Sequence, residues 1–495
     1  MNKDITKKVR TRFAPSPTGY VHIGNLRTAL YAYLYAKSHG GDFCLRIEDT
    51  DQKRLVDDAT LKVLEVLDWA GIKIDEGVML GEDGKIKESG NNGPYTQSKR
   101  LDIYKKYAQQ LIDEGKAYYC FCTAERLSEV REEQQKNKQA PMYDGCCREI
   151  SKEDAQKRIE AGEKYVIRLK VPRGEKIEFE DGVFGKISVS SDTVDDQVLM
   201  KTDGFPTYHL AVVVDDHLME FTHVLRGEEW IPSTPKHVIL YNYFGWEPPQ
   251  FIHLPNIVNE NRKKLSKRQG DVSVEDFRKK GYLPEGLVNF LALLGWNPKT
   301  EQEIFSLEEL GKRFDEKGIH KTGAVFDYKK LDWINSHYIK QKTSSKLTEL
   351  CWPYLENYSK EKNVEINREV AEKIVSIEQE RMKKLSEITD NIDFYFSEPE
   401  YDRELLRWKK NSDEETVSAL EKMKGAIEKV EKFDIMEDIK KVLFQEADGK
   451  VGDHLWPLRA ALTGVERSPS PFEVAWVIGR EKSLERIEKA LEKLK

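Results

Sequence analysis

The sequence lacks several features that would place it in a class at once. It has no apolar run of the roughly 20 residues that a bilayer-spanning helix needs. Residues 1–10 are polar and basic with no apolar stretch behind them, so they do not resemble a secretory signal. Neither the Gly-x4-Gly-Lys-Ser/Thr loop nor the Gly-x-Gly-x-x-Gly motif occurs, so nucleotide binding cannot rest on either. We therefore expect a cytoplasmic protein with no membrane partner.

Cysteine is scarce, with six residues in 495, and four of the six fall within residues 120–147. In a cytoplasmic protein such clustering favours a metal site over disulfides. A surplus of positive charge is also missing, because 80 Lys and Arg stand against 87 Asp and Glu for a net charge of −7. This balance argues weakly against a nucleic-acid partner, but it does not exclude a basic face.

Alternating strand and helix patterns dominate the first part of the chain, whose 495 residues allow roughly three domains. The predicted segments are strands at 9–14, 43–49 and 208–214, a helix at 25–38 capped by Asn25, and a loop at 77–94. The alternation breaks within residues 118–204, and helical periodicity takes over from about residue 284. The pattern is typical of an α/β fold: a Rossmann-type parallel sheet with an inserted α+β connective domain, followed by an all-helical C-terminal half.

The most specific stretch covers residues 9–25 and reads VRTRFAPSPTGYVHIGN. It predicts a strand, a turn rich in proline and glycine, and the start of a helix, whose free N–H groups and dipole can seat a phosphate. The stretch resembles the "HIGH" motif of class I aminoacyl-tRNA synthetases in its glutamyl form. His22-Ile-Gly-Asn25 is the core of that motif, and the flank from Arg12 to Gly19 is far more specific than the core.

A second motif, residues 261–270, is a polar, basic loop with the sequence NRKKLSKRQG. Closely spaced lysines suit a clamp on a polyphosphate, because compact ammonium charges can meet the charge that develops as pyrophosphate leaves. Lys264-Leu-Ser-Lys-Arg268 resembles the "KMSKS" motif of the same family, in the expected order after the first motif.

The resemblance implies an ATP site and a catalytic group. His22, Lys264 and Lys267 would be catalytic, with ATP bound as its Mg²⁺ complex. The ATP-binding residues would be Pro15, Gly19, His22, Gly24, Asn25, Lys264, Leu265, Ser266, Lys267 and Arg268.

An amino-acid site is expected at the carboxyl ends of the strands. Glutamate carries an ammonium and two carboxylates, so its recognition needs two cationic forks and an acid. The resemblance assigns Arg12 to the γ-carboxylate, Glu48 to the ammonium, and Tyr208 and Arg226 to further substrate contacts. Ala14 and Ser16 complete the predicted glutamate site.

The clustered cysteines predict one structural zinc ion, because thiolates favour tetrahedral Zn²⁺. The resemblance to bacterial glutamyl members, some of which carry a zinc knuckle here, implies Cys120, Cys122, Tyr143 and Cys147 as ligands. Three residues compete for the fourth position: Tyr143, Cys146 and Glu149.

Taken together, the resemblance implies a bacterial-type glutamyl-tRNA synthetase that activates L-glutamate with ATP and transfers it to the 3′-terminal adenosine of tRNA-Glu. Whether tRNA-Gln is also charged stays open, and we expect a monomer. The domains implied are a catalytic domain at 1–117 and 205–260, an acceptor-binding insertion with the zinc knuckle at 118–204, the second motif with a stem-contact region at 261–342, and an anticodon-binding domain at 343–495. The alternatives are a glutaminyl-tRNA synthetase, whose anticodon domains are β-barrels, a truncated glutamyl-queuosine enzyme, and a noncatalytic tRNA-binding paralogue.

Overall fold

The computed structural model describes residues 8–265 and 272–495. Compact packing divides the chain into two units. The first comprises Met1–Arg278 and Leu287–Leu331, and the second comprises Lys279–Gly286 and Asp332–Lys495.

All the described strands belong to the first unit. They are β1 (Arg10–Phe13), β2 (Asp42–Leu45), β3 (Glu76–Leu80), β4 (Ile86–Ser89), β5 (Ala117–Cys120), β6 (Val166–Leu169), β7 (Lys176–Asp181), β8 (Gly185–Ser190), β9 (Val198–Met200), β10 (His223–Gly227), β11 (Gln250–Leu254), β12 (Ile257–Val258) and β13 (Ala324–Val325).

Two four-stranded sheets form the centre of this unit, with strand orders β1-β2-β3-β4 and β10-β11-β7-β8. The pairs β1/β2, β2/β3 and β10/β11 are parallel. The two sheets meet at β1 and β10, where the Thr222 N–H donates to the Arg10 carbonyl and the Arg10 N–H donates to the Thr222 hydroxyl. This arrangement confirms the predicted Rossmann-type parallel sheet.

The inserted segment contributes strands to two sheets of this unit, a small sheet of its own and one of the two central sheets. Strands β5, β6 and β9 form a small antiparallel sheet of their own. The hairpin β7–β8 instead extends the central sheet, because Asp181 at the end of β7 pairs in parallel with Phe251 of β11. One part of the inserted segment is therefore built into the central sheet.

The helices that precede the C-terminal run are α1 (Ile23–Ser38), α2 (Ala59–Trp69), α3 (Leu101–Asp113), α4 (Ala124–Lys136), α5 (Lys152–Glu160), α6 (Tyr208–Leu218), α7 (Thr234–Phe244), α8 (Val274–Lys279), α9 (Pro284–Leu293), α10 (Leu307–Arg313) and α11 (Tyr328–Lys340). Helix α1 packs against β1 and buries Ile23, Leu26, Leu30 and Leu34.

Two predicted segments were wrong. Residues 208–214 form the first two turns of α6 instead of a strand. Leu210 and Val212 to Val214 are all buried, and a short apolar run that is covered on every side has no period that separates a strand from a helix. The loop predicted at 77–94 contains the antiparallel hairpin β3–β4, whose glycines and charges masked a weak strand pattern.

The second unit is helical. After α11 it contains α12 (Ser344–Lys362), α13 (Arg368–Glu378), α14 (Asp393–Phe396), α15 (Asp413–Lys429), α16 (Met436–Ala447), α17 (Val451–Thr463), α18 (Pro471–Ile478) and α19 (Arg480–Leu494). Capping boxes begin two of these helices, with Ser412 and Glu415 on α15 and Ser470 and Glu473 on α18. The all-helical C-terminal half is thus confirmed. Among the described residues, no helix combines the length and apolar character needed to cross a membrane.

Candidate active site

A cavity of about 800 Å³ opens beyond the carboxyl ends of β1, β2, β10 and β11, where ligands of open α/β sheets collect. Ten residues predicted from the sequence line it: Arg12, Ala14, Pro15, Ser16, His22, Gly24, Asn25, Glu48, Tyr208 and Arg226. Of the other predicted positions, Gly19, Lys264 and Leu265 do not line this cavity. Ser266, Lys267 and Arg268 lie outside the described residues.

Helix α1 points its N-terminus at the cavity. His22 is the N-cap, and its Nδ1 accepts a hydrogen bond of 2.9 Å from the Gly24 N–H. The prediction that Asn25 caps the helix was wrong, because the helix begins two residues earlier, at Ile23. Since Nδ1 is an acceptor, the proton of the neutral imidazole lies on Nε2. Gly19 belongs to the preceding turn, where its φ of 142° is one that residues with side chains rarely adopt.

The residues that flank the second motif form backbone hydrogen bonds with residues in or beside the cavity lining. On one side, the Leu265 N–H donates to the carbonyl of Ile257, a cavity-lining residue. On the other, the Ile23 N–H donates to the Val272 carbonyl at 2.8 Å, directly beside His22. Lys264 lies 3.6 Å from the carboxylate of Glu229, which also lines the cavity. The described flanks of the second motif therefore share one cleft with the first motif.

Buried charged side chains surround one end of the cavity. Arg12 donates to both carboxylate oxygens of Asp216, at 3.1 and 3.2 Å, and Arg46 donates to Asp216 at 2.7 Å. Arg46 also donates to Glu48 at 2.8 Å. Burial raises the pKa of Glu48, although Arg46 opposes the shift. Burial likewise opposes ionisation of Asp216, but Arg12 and Arg46 lower its pKa overall.

Arg226 has a different environment, because its described partners are all neutral. Its Nε donates to His253 at 3.0 Å, and its Nη2 donates to the Thr234 hydroxyl at 2.8 Å. Its Nη1 lies 3.2 Å from His237 Nδ1 and 3.3 Å from the Tyr208 hydroxyl. Burial lowers the pKa of His253 and, far more strongly, that of His237, so both rings are neutral acceptors.

The charges of this buried group do not cancel. The guanidinium groups of Arg12, Arg46 and Arg226 face the carboxylates of Glu48 and Asp216, and all five side chains are buried. These five side chains carry three positive and two negative charges, and a third buried carboxylate, Asp181, lies behind His253, which separates it from Arg226. The group is suited to a ligand that carries one ammonium and two carboxylates.

Sequence reasoning missed Arg46, Asp216 and His253, which hold the predicted residues in place. Asp215-Asp216 at the polar end of a five-residue apolar run was a usable signal, because buried acids need cationic partners. His253 follows two apolar residues in β11 and carries no such signal.

A cluster of thiols lies in the inserted segment. The Sγ atoms of Cys120, Cys122 and Cys147 lie within 4.8 Å of one another, and Cys122 and Cys147 are 3.6 Å apart. Two ligands of a tetrahedral Zn²⁺ with bonds of about 2.3 Å are about 3.8 Å apart, so the spacing fits this ion. A hydrogen bond from Cys147 lowers the pKa of Cys120, while burial raises the pKa of Cys122 and the hydrogen bond to Cys120 raises that of Cys147. One thiol of the three is thus disposed to the thiolate form that zinc requires.

The three competitors for the fourth position differ in place. The Tyr143 hydroxyl lies 3.4 Å from both Cys120 and Cys122. Cys146 is exposed, and its N–H donates to Asp144. Glu149 is also exposed and pairs with Arg148 and Lys170. Tyr143 is the competitor that packs with the thiols.

Comparisons with known proteins cover both parts of the chain. The family model described as tRNA synthetases class I (E and Q), catalytic domain, matches residues 8–333, and the anticodon binding domain model matches residues 346–491. The glutamate–tRNA ligase of Clostridioides difficile is 49% identical over 97% of this chain and 98% of its own length. That of Alkaliphilus metalliredigens is 49% identical over 99% of this chain and 100% of its own.

Solved structures agree with these relatives. The crystal structure of a glutamate tRNA ligase from Elizabethkingia meningosepticum in complex with its amino acid superposes with a TM-score of 0.86 at 37% identity, covering 99% of this chain and 100% of the other. A glutamate-tRNA synthetase from Elizabethkingia anophelis gives 0.87 at 37% identity, covering 98% and 100%. With its catalytic and anticodon-binding parts both matched, the chain belongs to the class I tRNA synthetase family for glutamate and glutamine.

Proposed function

We propose that the chain is an ATP-dependent glutamate–tRNA ligase that forms glutamyl-adenylate and transfers the glutamyl group to tRNA-Glu. The observation that carries the proposal is the placing of Arg12, Glu48 and Arg226 around one cavity, with no carboxylate bonded directly to Arg226 among its described partners. Glutamate offers two carboxylates to the two arginines, whereas the side-chain amide of glutamine is neutral. The relatives named above carry the same activity in their names.

The bound amino acid would lie between the two arginines and Glu48. Glu48 would accept from the ammonium, while Arg226 and Tyr208 would meet one carboxylate. Arg12 would serve the other carboxylate, with its orientation fixed by two hydrogen bonds to Asp216. Ala14 and Ser16 line the same wall of the cavity.

The nucleotide would occupy the end of the cavity next to α1, as its Mg²⁺ complex. The helix N-terminus and the Nε2–H of His22 would hold phosphate oxygens, with Pro15, Gly24 and Asn25 lining the site. Lys264, and Lys267 as the sequence motif implies, would stabilise the charge on the departing pyrophosphate.

The chemistry would then proceed in two displacements. A carboxylate oxygen of glutamate attacks the α-phosphorus, and the bond to pyrophosphate breaks. Next, the terminal ribose 2′-hydroxyl of the tRNA attacks the acyl carbon, its proton passes to a phosphate oxygen of the adenylate, and AMP leaves with the bonding electrons. Both steps depend on positioning and charge stabilisation, and neither needs a covalent nucleophile.

The remaining parts of the chain would serve the tRNA. The inserted segment, 118–204, would contact the acceptor end, and the helical region from 343 to 495 the anticodon. Cys120, Cys122, Cys147 and Tyr143 would hold one zinc ion, which stabilises the local fold when bound. The protein would act as a monomer in the cytoplasm.

A test of this function compares amino acids in ATP–pyrophosphate exchange, with tRNA-Glu present. We expect exchange with L-glutamate and about 100-fold less with L-glutamine, since a charge-assisted contact is worth about 1.5–3 kcal/mol. Equal or faster exchange with glutamine would favour the glutaminyl alternative. That alternative also predicts β-barrel anticodon domains, whereas residues 343–495 contain helices and no strand.

A further inference from the structure

We propose that Asp181 and His253 are positioning residues for the Arg226 guanidinium, and that they thereby set the affinity of the pocket for glutamate. The inference rests on the proposed function, because it assigns Arg226 a role in binding the amino acid. Neither Asp181 nor His253 lines the cavity, so both would act through Arg226 and its partner Thr234, whose hydroxyl lies 3.2 Å from His253 Nε2.

Asp181 is fixed at the end of β7 by four hydrogen bonds. Its Oδ1 accepts from the N–H groups of Val183 and Phe184, at 3.0 and 2.9 Å. Its Oδ2 accepts from the N–H of His253 at 3.2 Å and lies 2.5 Å from His253 Nδ1. Asp181 is 2% exposed and His253 is fully buried, so this arrangement is shielded from water.

These contacts determine where the imidazole proton lies. Asp181 is ionised, because hydrogen bonds from His253 and the backbone lower its pKa despite its burial. An ionised carboxylate can only accept, so the proton of the neutral ring must be on Nδ1. His253 Nε2 is then an acceptor, and it receives the Nε–H of Arg226 at 3.0 Å. The opposite tautomer would place two N–H groups against each other.

The guanidinium is held on three sides by neutral acceptors, of which His253 engages Nε. The Thr234 hydroxyl accepts a hydrogen bond from Nη2 and donates one to the Trp230 carbonyl at 3.0 Å. His237 and Tyr208 lie at Nη1. None of these partners is a carboxylate, and the His253 ring separates the Asp181 carboxylate from Arg226, so the guanidinium can still bind a carboxylate in the cavity. A carboxylate in place of His253 would pair with Arg226 directly and compete with that ligand.

The topology explains how Asp181 reaches this position. It belongs to the β7–β8 hairpin of the inserted segment, which joins the central sheet beside β11. The insertion therefore supplies a residue that acts on the amino-acid pocket, 45 positions before Arg226 in the sequence.

The test uses two substitutions at position 253 that separate the two contacts. In His253→Asn the amide nitrogen takes the place of Nδ1, which keeps the donor to Asp181 but loses the acceptor for Arg226. In His253→Gln the amide oxygen takes the place of Nε2 and restores that acceptor. Aminoacylation by the full-length enzyme would give KM for glutamate, KM for ATP and kcat. Thermal unfolding would give the melting temperature. We expect His253→Asn to raise KM for glutamate about tenfold, as for one hydrogen bond to a charged group, and His253→Gln to stay within threefold of wild type.

Asp181→Asn gives an independent test that leaves His253 in place. The backbone N–H groups of Val183 and Phe184 keep the amide oxygen at the Oδ1 position, so the amide nitrogen faces both Nδ1 and the backbone N–H of His253, and the melting temperature is measured for this variant too. The neutral imidazole must then accept through Nδ1 and carry its proton on Nε2. That N–H faces the Nε–H of Arg226, so the hydrogen bond between them is lost. We expect the same rise of about tenfold in KM for glutamate, with KM for ATP within twofold of wild type.

His223→Asn is the matched control, because His223 lies at the other end of β10 and does not line the cavity. It should leave both KM values within twofold of wild type. The proposal is overturned if Asp181→Asn leaves KM for glutamate unchanged, or if it changes KM for ATP and kcat as much as KM for glutamate. If the position-253 variants do not fold, Asp181→Asn decides alone. Failure of the wild-type enzyme to charge glutamate would instead overturn the proposed function.

Discussion

The buried carboxylates Glu48 and Asp216 share Arg46 as a partner, yet their pKa values move in opposite directions. Burial raises the pKa of Glu48, so its ionisation costs stability as pH rises from the unfolded value through the folded one. Arg12 and Arg46 lower the pKa of Asp216 in spite of burial, so its ionised form stabilises the fold at neutral pH. That stability is lost as pH falls from the unfolded value, about 3.9, through the folded one.

The isosteric amides should therefore behave differently. Glu48→Gln should leave the urea midpoint at pH 7 unchanged or higher, because it removes a charge that burial disfavours, and it should raise KM for glutamate at least tenfold.

Asp216→Asn should lower the stability by about 3 kcal/mol, because it leaves two buried arginines without their shared carboxylate. Urea unfolding and aminoacylation kinetics check both. A Glu48→Gln protein that is less stable than Asp216→Asn would contradict this account.

At the scale of the element, the start of α1 combines two roles in one side chain. His22 caps the helix through Nδ1 and lines the end of the cavity that we propose for the nucleotide. The helix beyond it is buried along most of its length, so its stability depends mainly on packing and only partly on the cap.

Two substitutions of His22 should separate these roles. His22→Asn keeps a good N-cap and should preserve stability, whereas His22→Ala should cost about 1 kcal/mol. Both should slow ATP–pyrophosphate exchange by about 100-fold, as expected for the loss of one transition-state hydrogen bond. Near-normal exchange by His22→Asn would restrict His22 to the structural role.

The elements also show what the sequence could predict. Seven of the ten predicted residues that line the cavity lie in one short motif, residues 12–25, and a motif fixes its own local geometry. The supporting residues Asp181, His253 and Asp216 come from β7, β11 and α6, three elements that are brought together only by the tertiary fold. The local sequence pattern predicted the wrong secondary structure where tertiary packing determines it. The middle of α6 is buried on all sides, and the β3–β4 hairpin pairs at the sheet edge despite its glycines. The N-cap was misplaced because histidine is an uncommon cap.

At the scale of the molecule, the thiol cluster and the active-site cavity are separate. Tyr118, Cys120, Tyr143 and Cys147 form a small core of their own, and none of them lines the cavity. Metal at the cluster would hold β5 to the loop that carries Cys147, and it would not touch the amino acid or the nucleotide.

Adjacent cysteines provide a matched pair to test the metal. We expect about one zinc per chain in the wild type and in Cys146→Ser, and almost none in Cys147→Ser, because only Cys147 belongs to the cluster. Elemental analysis of freshly purified protein gives the ratio, and calorimetry with glutamate checks that the cavity of Cys147→Ser still binds. Equal zinc in both variants would remove Cys147 from the ligand set.

The neutral partners of Arg226 have a practical consequence. A buried cation with no carboxylate bonded to it attracts small anions that fit, and the cavity is large enough to admit them. Citrate or malonate in a purification buffer would compete with the amino acid for this arginine. Dissociation constants measured in such buffers would be too high, and dilute zwitterionic buffers with little chloride would reduce this error.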